Sequence, residues 1–426
     1  MITKEKFLDF KQRFPLDGVV VNQLRDHAYN AFNQKGYPNK KDEAWKYTSL
    51  LNLKDVDWNL SSIDDANGLS HEDMKTISNK LPSEFTNLVF VNGFINQTLS
   101  DDCSDFYQSV EITTEDFKSL DIESESKVLD LQKAGLFSKN KITFNKLNSH
   151  EKVVHVVFVQ KNTKSTLTQP FTEVIVEQNV EAKLIVSYVS LNSSTENQFI
   201  NSHLTAYLNK NAKLQYLQLQ DSALKDTHVS RTVFHIADHA QLISLDLALG
   251  AKLARHYLGA HFKGEGATAH ILGLVVASGE QHIDQYTYIQ HEKGHNSSNQ
   301  KYKSVLAGKS HSVFRGRVRI EQDAQKANSE QLNNNLLLTR ESGVNTVPQL
   351  EIYADDVKAT HGSTVGQLSH DEIFYFMSRG VDAMTATQLL ATGFAYEMTL
   401  FFSSPELSQF AQKHLKNKLD GIISNV

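Results

Sequence analysis

One cysteine, Cys103, in 426 residues leaves no internal disulfide framework and fits a reducing compartment, the cytoplasm. A cluster held by protein thiolates needs about four of them or their substitutes, so the chain is not expected to cage one alone. Long apolar runs are also missing. The longest, such as Ile271 to Ala277, fall far short of the ~20 residues of a bilayer span. Lys4, Glu5 and Lys6 put charge where a secretory leader would be apolar. No block of basic residues occurs, and the net charge of −6 is spread along the chain. Phosphate backbones are bound by clustered Lys and Arg, so neither nucleic acid nor a membrane is the expected partner. Proline is scarce, with six in all and none between Pro170 and Pro348. That stretch can therefore carry uninterrupted strand ladders.

What is present divides into four segments. Residues 1–85 read as an N-terminal helical domain. Leu24, His27, Ala28 and Ala31 recur at helical spacing from Asn22 to Gln34, and Gly36 and Pro38 supply the stop. A short segment from Asp42 to Tyr47 comes next, then polar loop from Asp55 to Ala66. Residues 86–150 read as a transition, with a strand and turn at Leu88 to Phe94 and an acidic loop with a short helix over 111–139. Residues 151–362 are dense in strand-length runs. Residues 363–426 turn helical again: Ser369 and Glu372 form a capping box, Arg379-Gly380 ends that helix, and Asp382 caps a longer one to about Phe402. Ser403-Ser404-Pro405 breaks it, and Glu406 to Leu419 is a last amphipathic helix, expected to pack on the end of the strand array or on a partner.

The third segment contains a repeat. Glu181-Ala182-Lys183-Leu184, Asn211-Ala212-Lys213-Leu214, His239-Ala240-Gln241-Leu242 and Gly266-Ala267-Thr268-Ala269 place alanines 30, 28 and 27 residues apart. A period in the range of about 20–50 residues, with strands at matched offsets, marks a stacked array. The expectation is a β-solenoid in which each alanine heads a strand at a tight corner. The pattern is not traceable in sequence beyond Ala267. Asn-Gly and Asp-Gly hairpin dipeptides are absent from this segment, which disfavours an antiparallel sandwich.

Motifs with catalytic spellings lack their contexts. His291-Glu292-Lys293-Gly294-His295 spells a zinc-peptidase motif, but strand-like residues precede it and a turn comes after, so helical presentation of both histidines fails. It reads as a solvated turn between rungs. Gly308-Lys309-Ser310 ends like a phosphate loop whose first glycine is replaced by Lys303, leaving nucleotide hydrolysis to another protein. Gly264-Glu265-Gly266 reads as a corner. Asp355-Asp356 is the kind of acidic pair a carbohydrate-active β-helix enzyme would use, the alternative function, but neighbours on a strand face opposite ways.

The run from Glu351 to Leu368, continuing through Ile373-Phe374-Tyr375-Phe376-Met377-Ser378-Arg379-Gly380, is distinctive. With Asp42 to Thr48, Leu88 to Gly93 and Gln331 to Leu338, it closely resembles the SufB/SufD family of subunits of the Suf iron–sulfur cluster assembly complex. The resemblance spans nearly the whole chain. It implies a right-handed parallel β-helix between helical ends and a non-catalytic scaffold role. It also implies a SufB-like paralogue pairing at the β-helix end, and SufC-like ABC ATPases docking on the C-terminal helices to remodel that interface. His361 matches a histidine implicated at the interface, a candidate ligand to iron or to a transient iron–sulfur cluster shared with the partner. Ile373, Phe374, Tyr375, Arg379 and Gly380 mark the candidate ATPase dock. Ala359 stands where many family members carry cysteine, so a thiolate must come from the partner. Alone, the chain is expected to be able to pair with itself.

Overall fold

The computed structural model describes residues 2–63, 68–120, 126–147, 152–161, 164–191 and 196–423. Among them, two sheets of eleven and ten strands run side by side as the walls of a flattened parallel β-solenoid. The first sheet contains strands 171–176, 198–208, 227–236, 253–262, 282–291, 311–320 and 343–352. The second contains 154–160, 181–190, 213–221, 241–248, 268–277, 297–306, 328–337 and 358–366. Each strand pairs in parallel with the strand one rung away, so the chain alternates between walls. The first rung is built from 86–91 and 139–144, each edged by an antiparallel strand, 94–95 and 107–110 respectively.

The corners explain the repeat. Asn179, Asn211, His239, Gly266, His295 and Lys326 all have φ between 56° and 68°, the left-handed region in which Gly and Asn are most at ease. Each donates its backbone N–H to a carbonyl of the next rung, as in Asn211 to Asp238 and His239 to Glu265, both at 2.9 Å. The residue after each turns inward and is buried: Val180, Ala212, Ala240, Ala267, Asn296 and Ala327. Three of the four alanines therefore sit at the corner as expected. Ala182 does not; it lies two residues into its strand and pairs with Leu214. The repeat also continues beyond Ala267. Asn296 takes the corner position and satisfies it, accepting from the Ala267 N–H at 2.8 Å and donating to the Gly264 carbonyl at 2.8 Å.

Strands 213–221, 241–248 and 268–277 of the second sheet are buried on both faces, which fits their leucine density. Leu214 and Tyr216 face the interior, whereas Leu217, Leu219, Leu245 and Leu247 face outward beneath the C-terminal helices. The helices are α1 (Lys4–Arg13), α2 (Val19–Lys35), α3 (His71–Ser78), α4 (Thr114–Ser119), α5 (Ser126–Ala134), α6 (His370–Ser378), α7 (Ala383–Tyr396) and α8 (Pro405–Ile423). Helix α8 buries Leu407, Phe410, Ala411, Leu415 and Leu419 against the outward leucines. The expected packing of this tail on the solenoid end is thus corrected. It lies along the flank, where the outward leucine columns offer far more apolar area than an end does. The acidic stretch over 111–139 likewise holds two helices, α4 and α5, rather than one. No described helix is long and apolar enough to cross a membrane.

The N-terminal segment packs on the outer face of the first sheet, where Phe32, Trp45 and Trp58 join Phe199 and Val229 in one cluster. Trp45 is pinned: the buried Arg255 guanidinium lies over its ring at 4.2 Å and pairs with Asp284, which also accepts from Thr48. The Asp42-to-Thr48 motif is therefore a staple between the helical segment and the sheet.

Candidate functional site at the open end of the solenoid

The two ends of the rod differ. At the first, Cys103 and Phe106 from the loop after strand 94–95 enter the interior beside Phe90, Ile142 and Phe144 and close it. Burial pushes the Cys103 thiol up to about 12, with Asp101, Asp102 and Asp105 adding to the shift. This thiol is inert near neutral pH.

At the other end the last two strands, 343–352 and 358–366, have no further rung among the described residues. Every residue of 343–352 is at least partly exposed, and so is every residue of 358–366. Each strand offers one edge of unpaired backbone groups. Register shows where the side chains point. His361 pairs with Gln331, which pairs with Gln300, and both glutamines are buried in the interior. Ala359, two residues earlier, packs against the interior cluster. His361 therefore continues the interior column into the last strand, and it is exposed. Beneath it the column is held by side-chain bonds from Gln331 to Gln300 and from Gln300 to Thr287. Across the mouth Ser363 donates to Thr346 at 3.2 Å. On the rim, Arg317 makes a bidentate pair with Glu351, both contacts at 2.9 Å, and Arg319 lies over the exposed Tyr353 ring. The hydrogen bond to Glu351 raises the pKa of Arg317 and keeps it charged.

Among the described residues no group of three His, Cys, Asp or Glu side chains converges as a metal site. A metal held by His361 would therefore need ligands from outside the described residues. The remaining predicted residues lie elsewhere. Ile373, Phe374 and Tyr375 are on α6, which buries none of its residues; Phe374 is 69% and Tyr375 58% exposed. Arg379 caps this helix with its guanidinium over the Tyr375 ring, and Gly380 comes next at φ 86°.

The catalytic spellings resolve structurally. His291 lies at the buried end of a strand, a correction to the solvated turn expected there. It stacks on Phe262 at 4.4 Å and shares a 2.8 Å hydrogen bond with Ser298, while His295 turns the corner. Asp355 and Asp356 lie in the corner after strand 343–352 rather than on a strand, and Asp356 pairs with Lys326. Gly308 is a corner residue with φ 62°. One interior feature escaped sequence reading: Asp246 and His256, 2.8 Å apart and both buried, with Gln218 and Gln285 also bonded to Asp246. A polar residue at an inward position looks the same in sequence as one facing solvent.

Fold and mouth together define a parallel β-solenoid protein with helical flanks and one unsealed end. Residues 158–394 match the family described as SUF system FeS cluster assembly, SufBD core domain, and residues 16–108 match the SufBD protein N-terminal region. The iron–sulfur cluster assembly protein SufD of Escherichia coli is 30% identical over 390 residues, covering 91% of this chain and 90% of that protein. An iron–sulfur cluster assembly SufBD family protein of Synechocystis is 29% identical over 405 residues, covering 90% and 87%. The chain belongs to the SufBD family, and its role lies in iron–sulfur cluster assembly.

Proposed function

We propose that this chain is a non-catalytic scaffold subunit, working in the cytoplasm, that pairs through its open solenoid end with a SufB-like paralogue. The observation that carries the reading is the unsealed mouth: a rod closed by its own side chains at one end and left with two bare strand edges at the other. A second solenoid end would cover His361, Val365 and Tyr353 and satisfy those edges. In the absence of the paralogue, a second copy of the chain would meet the same need. A nascent iron–sulfur cluster forms transiently at this junction, with His361 as one ligand and thiolates from the paralogue, since Ala359 offers none and Cys103 lies at the opposite end.

Helix α6 carries the second contact. Its exposed Phe374, Tyr375 and Met377 dock a SufC-like ABC ATPase, and hydrolysis there remodels the junction through the short link from strand 358–366. Reconstitution with the paralogue and ATPase tests the scheme. His361→Ala should lower cluster yield by about tenfold or more, the scale of losing a metal-site group, while the isolated chain keeps its stability. An unchanged yield would remove His361 from the chemistry. Truncation after Leu368 should abolish ATPase capture; retained capture would place the dock elsewhere.

A further inference from the structure

We propose that the cavity between α3 and α8, on the outer face of the second sheet, binds a small amphiphile with one anionic headgroup and an apolar tail. The cavity has a volume of about 420 Å³, within the range of sites that take small molecules, ~300–1,000 Å³. It lies over the early rungs, far along the rod from the open mouth, and nothing in the assembly role uses it.

Its floor is apolar because outward positions of three neighbouring strands carry Val157, Val159, Val189 and Leu219, with Leu249 just past the end of strand 241–248 and Phe410 of α8 as a side wall. Helices normally cover such a floor; here α3 and α8 stand apart and leave it open. The polar groups gather on the helices and at the strand ends. Lys80, Lys413 and Lys418 line the cavity against a single carboxylate, Asp221. Neither Lys80 nor Lys413 has an ion-pair partner among the described residues, whereas Lys418 bonds to Gln281 at 3.2 Å.

The two histidines lining the cavity add no competing need. His155 is satisfied by Ser187 at 2.8 Å and Asn87 at 3.2 Å. Burial lowers the pKa of both His155 and His414, so the positive charge near neutral pH comes from the lysines. Burial also lowers the pKa of Lys418, with Asp221 opposing the shift. An anion at the cavity mouth would favour the charged form of Lys418 further. Apolar walls with a few convergent cations select a chain or ring bearing a carboxylate or a similar anion, and would leave a neutral analogue weakly held.

Decanoate is the probe. Titration calorimetry on the full chain should show saturable one-to-one binding, and decanol should bind about tenfold more weakly or worse, a difference of about 1.4 kcal/mol. The surface variant Lys80→Glu/Lys413→Glu, which touches no buried contact, should weaken decanoate by a similar factor and leave decanol unchanged. Val189→Trp, filling the floor, should abolish both. Absence of saturable decanoate binding overturns the proposal. So does an affinity that survives the charge reversal, whatever the tryptophan variant does.

Discussion

The closed and open ends of this solenoid are built on strands of the same kind and differ in how the chain finishes them. At the first end, the chain supplies Phe106 and Cys103 to fill the interior and antiparallel strands to occupy both edges. At the last, strand 358–366 presents His361, Ser363 and Val365 to the space where another rung would lie. The interior changes in step. Leu184, Leu214 and Leu242 fill the early rungs, and Ser298, Gln300, Gln331 and Asn333 fill the late ones. A repeat array normally ends in polar caps at both termini. Here only the first end carries such a cap among the described residues.

Acid should expose the body of the rod first. Burial lowers the folded-state pKa of His155 to about 3, and those of His235, His261 and His291 to about 4. Unfolded histidine titrates near ~6.5, so below that pH the unfolded chain binds protons that the folded chain refuses. Stability is therefore highest above pH ~6.5 and falls by about 1.4 kcal/mol per pH unit for each such histidine as pH drops toward ~4. Urea unfolding at neutral pH and near pH 5 measures this, and equal midpoints would contradict the buried neutral rings.

Side-chain truncation should separate the two ends next. Phe106→Ala, at the sealed end, should cost about 3–5 kcal/mol, whereas Val365→Ala at the mouth should stay within about 0.5 kcal/mol. Comparable losses in denaturant midpoint would erase the distinction. The smallest effect on the isolated chain is expected from Phe374→Ala on α6, with no measurable change in thermal midpoint. Its cost should fall on ATPase binding, by about 2 kcal/mol or more if Phe374 anchors the contact. A thermal shift without a binding loss would make Phe374 a structural residue.

Much of this was readable in sequence, and the gaps have physical causes. Ala212, Ala240 and Ala267 marked corners because a small residue fits after a left-handed turn. Ala182 misled because a strand interior accepts alanine equally well, so the motif slipped by two residues while preserving strand parity. Asn296 hid the continuation because it fills the corner by hydrogen bonding rather than by being small. The capping box at Ser369 and the Asp382 cap were legible because capping is local. The Trp45–Arg255–Asp284 staple joins residues more than two hundred positions apart, which no local pattern reports. His361 and the α6 residues are candidates on resemblance alone. Spacing alone would not have set that histidine apart from the buried ones.

The left-handed corner residues also bear on how such a chain tolerates changes in length. Each anchors its rung to the next through a main-chain bond that owes nothing to side-chain identity, which is why Asn, His, Gly and Lys all serve there. Phase is reset at each of these corners. Residues gained or lost on the opposite edge then cost only the slow logarithmic penalty of a longer loop, and the strands on either side keep their partners. Length can therefore drift from one turn of the rod to the next without shifting the register of its walls.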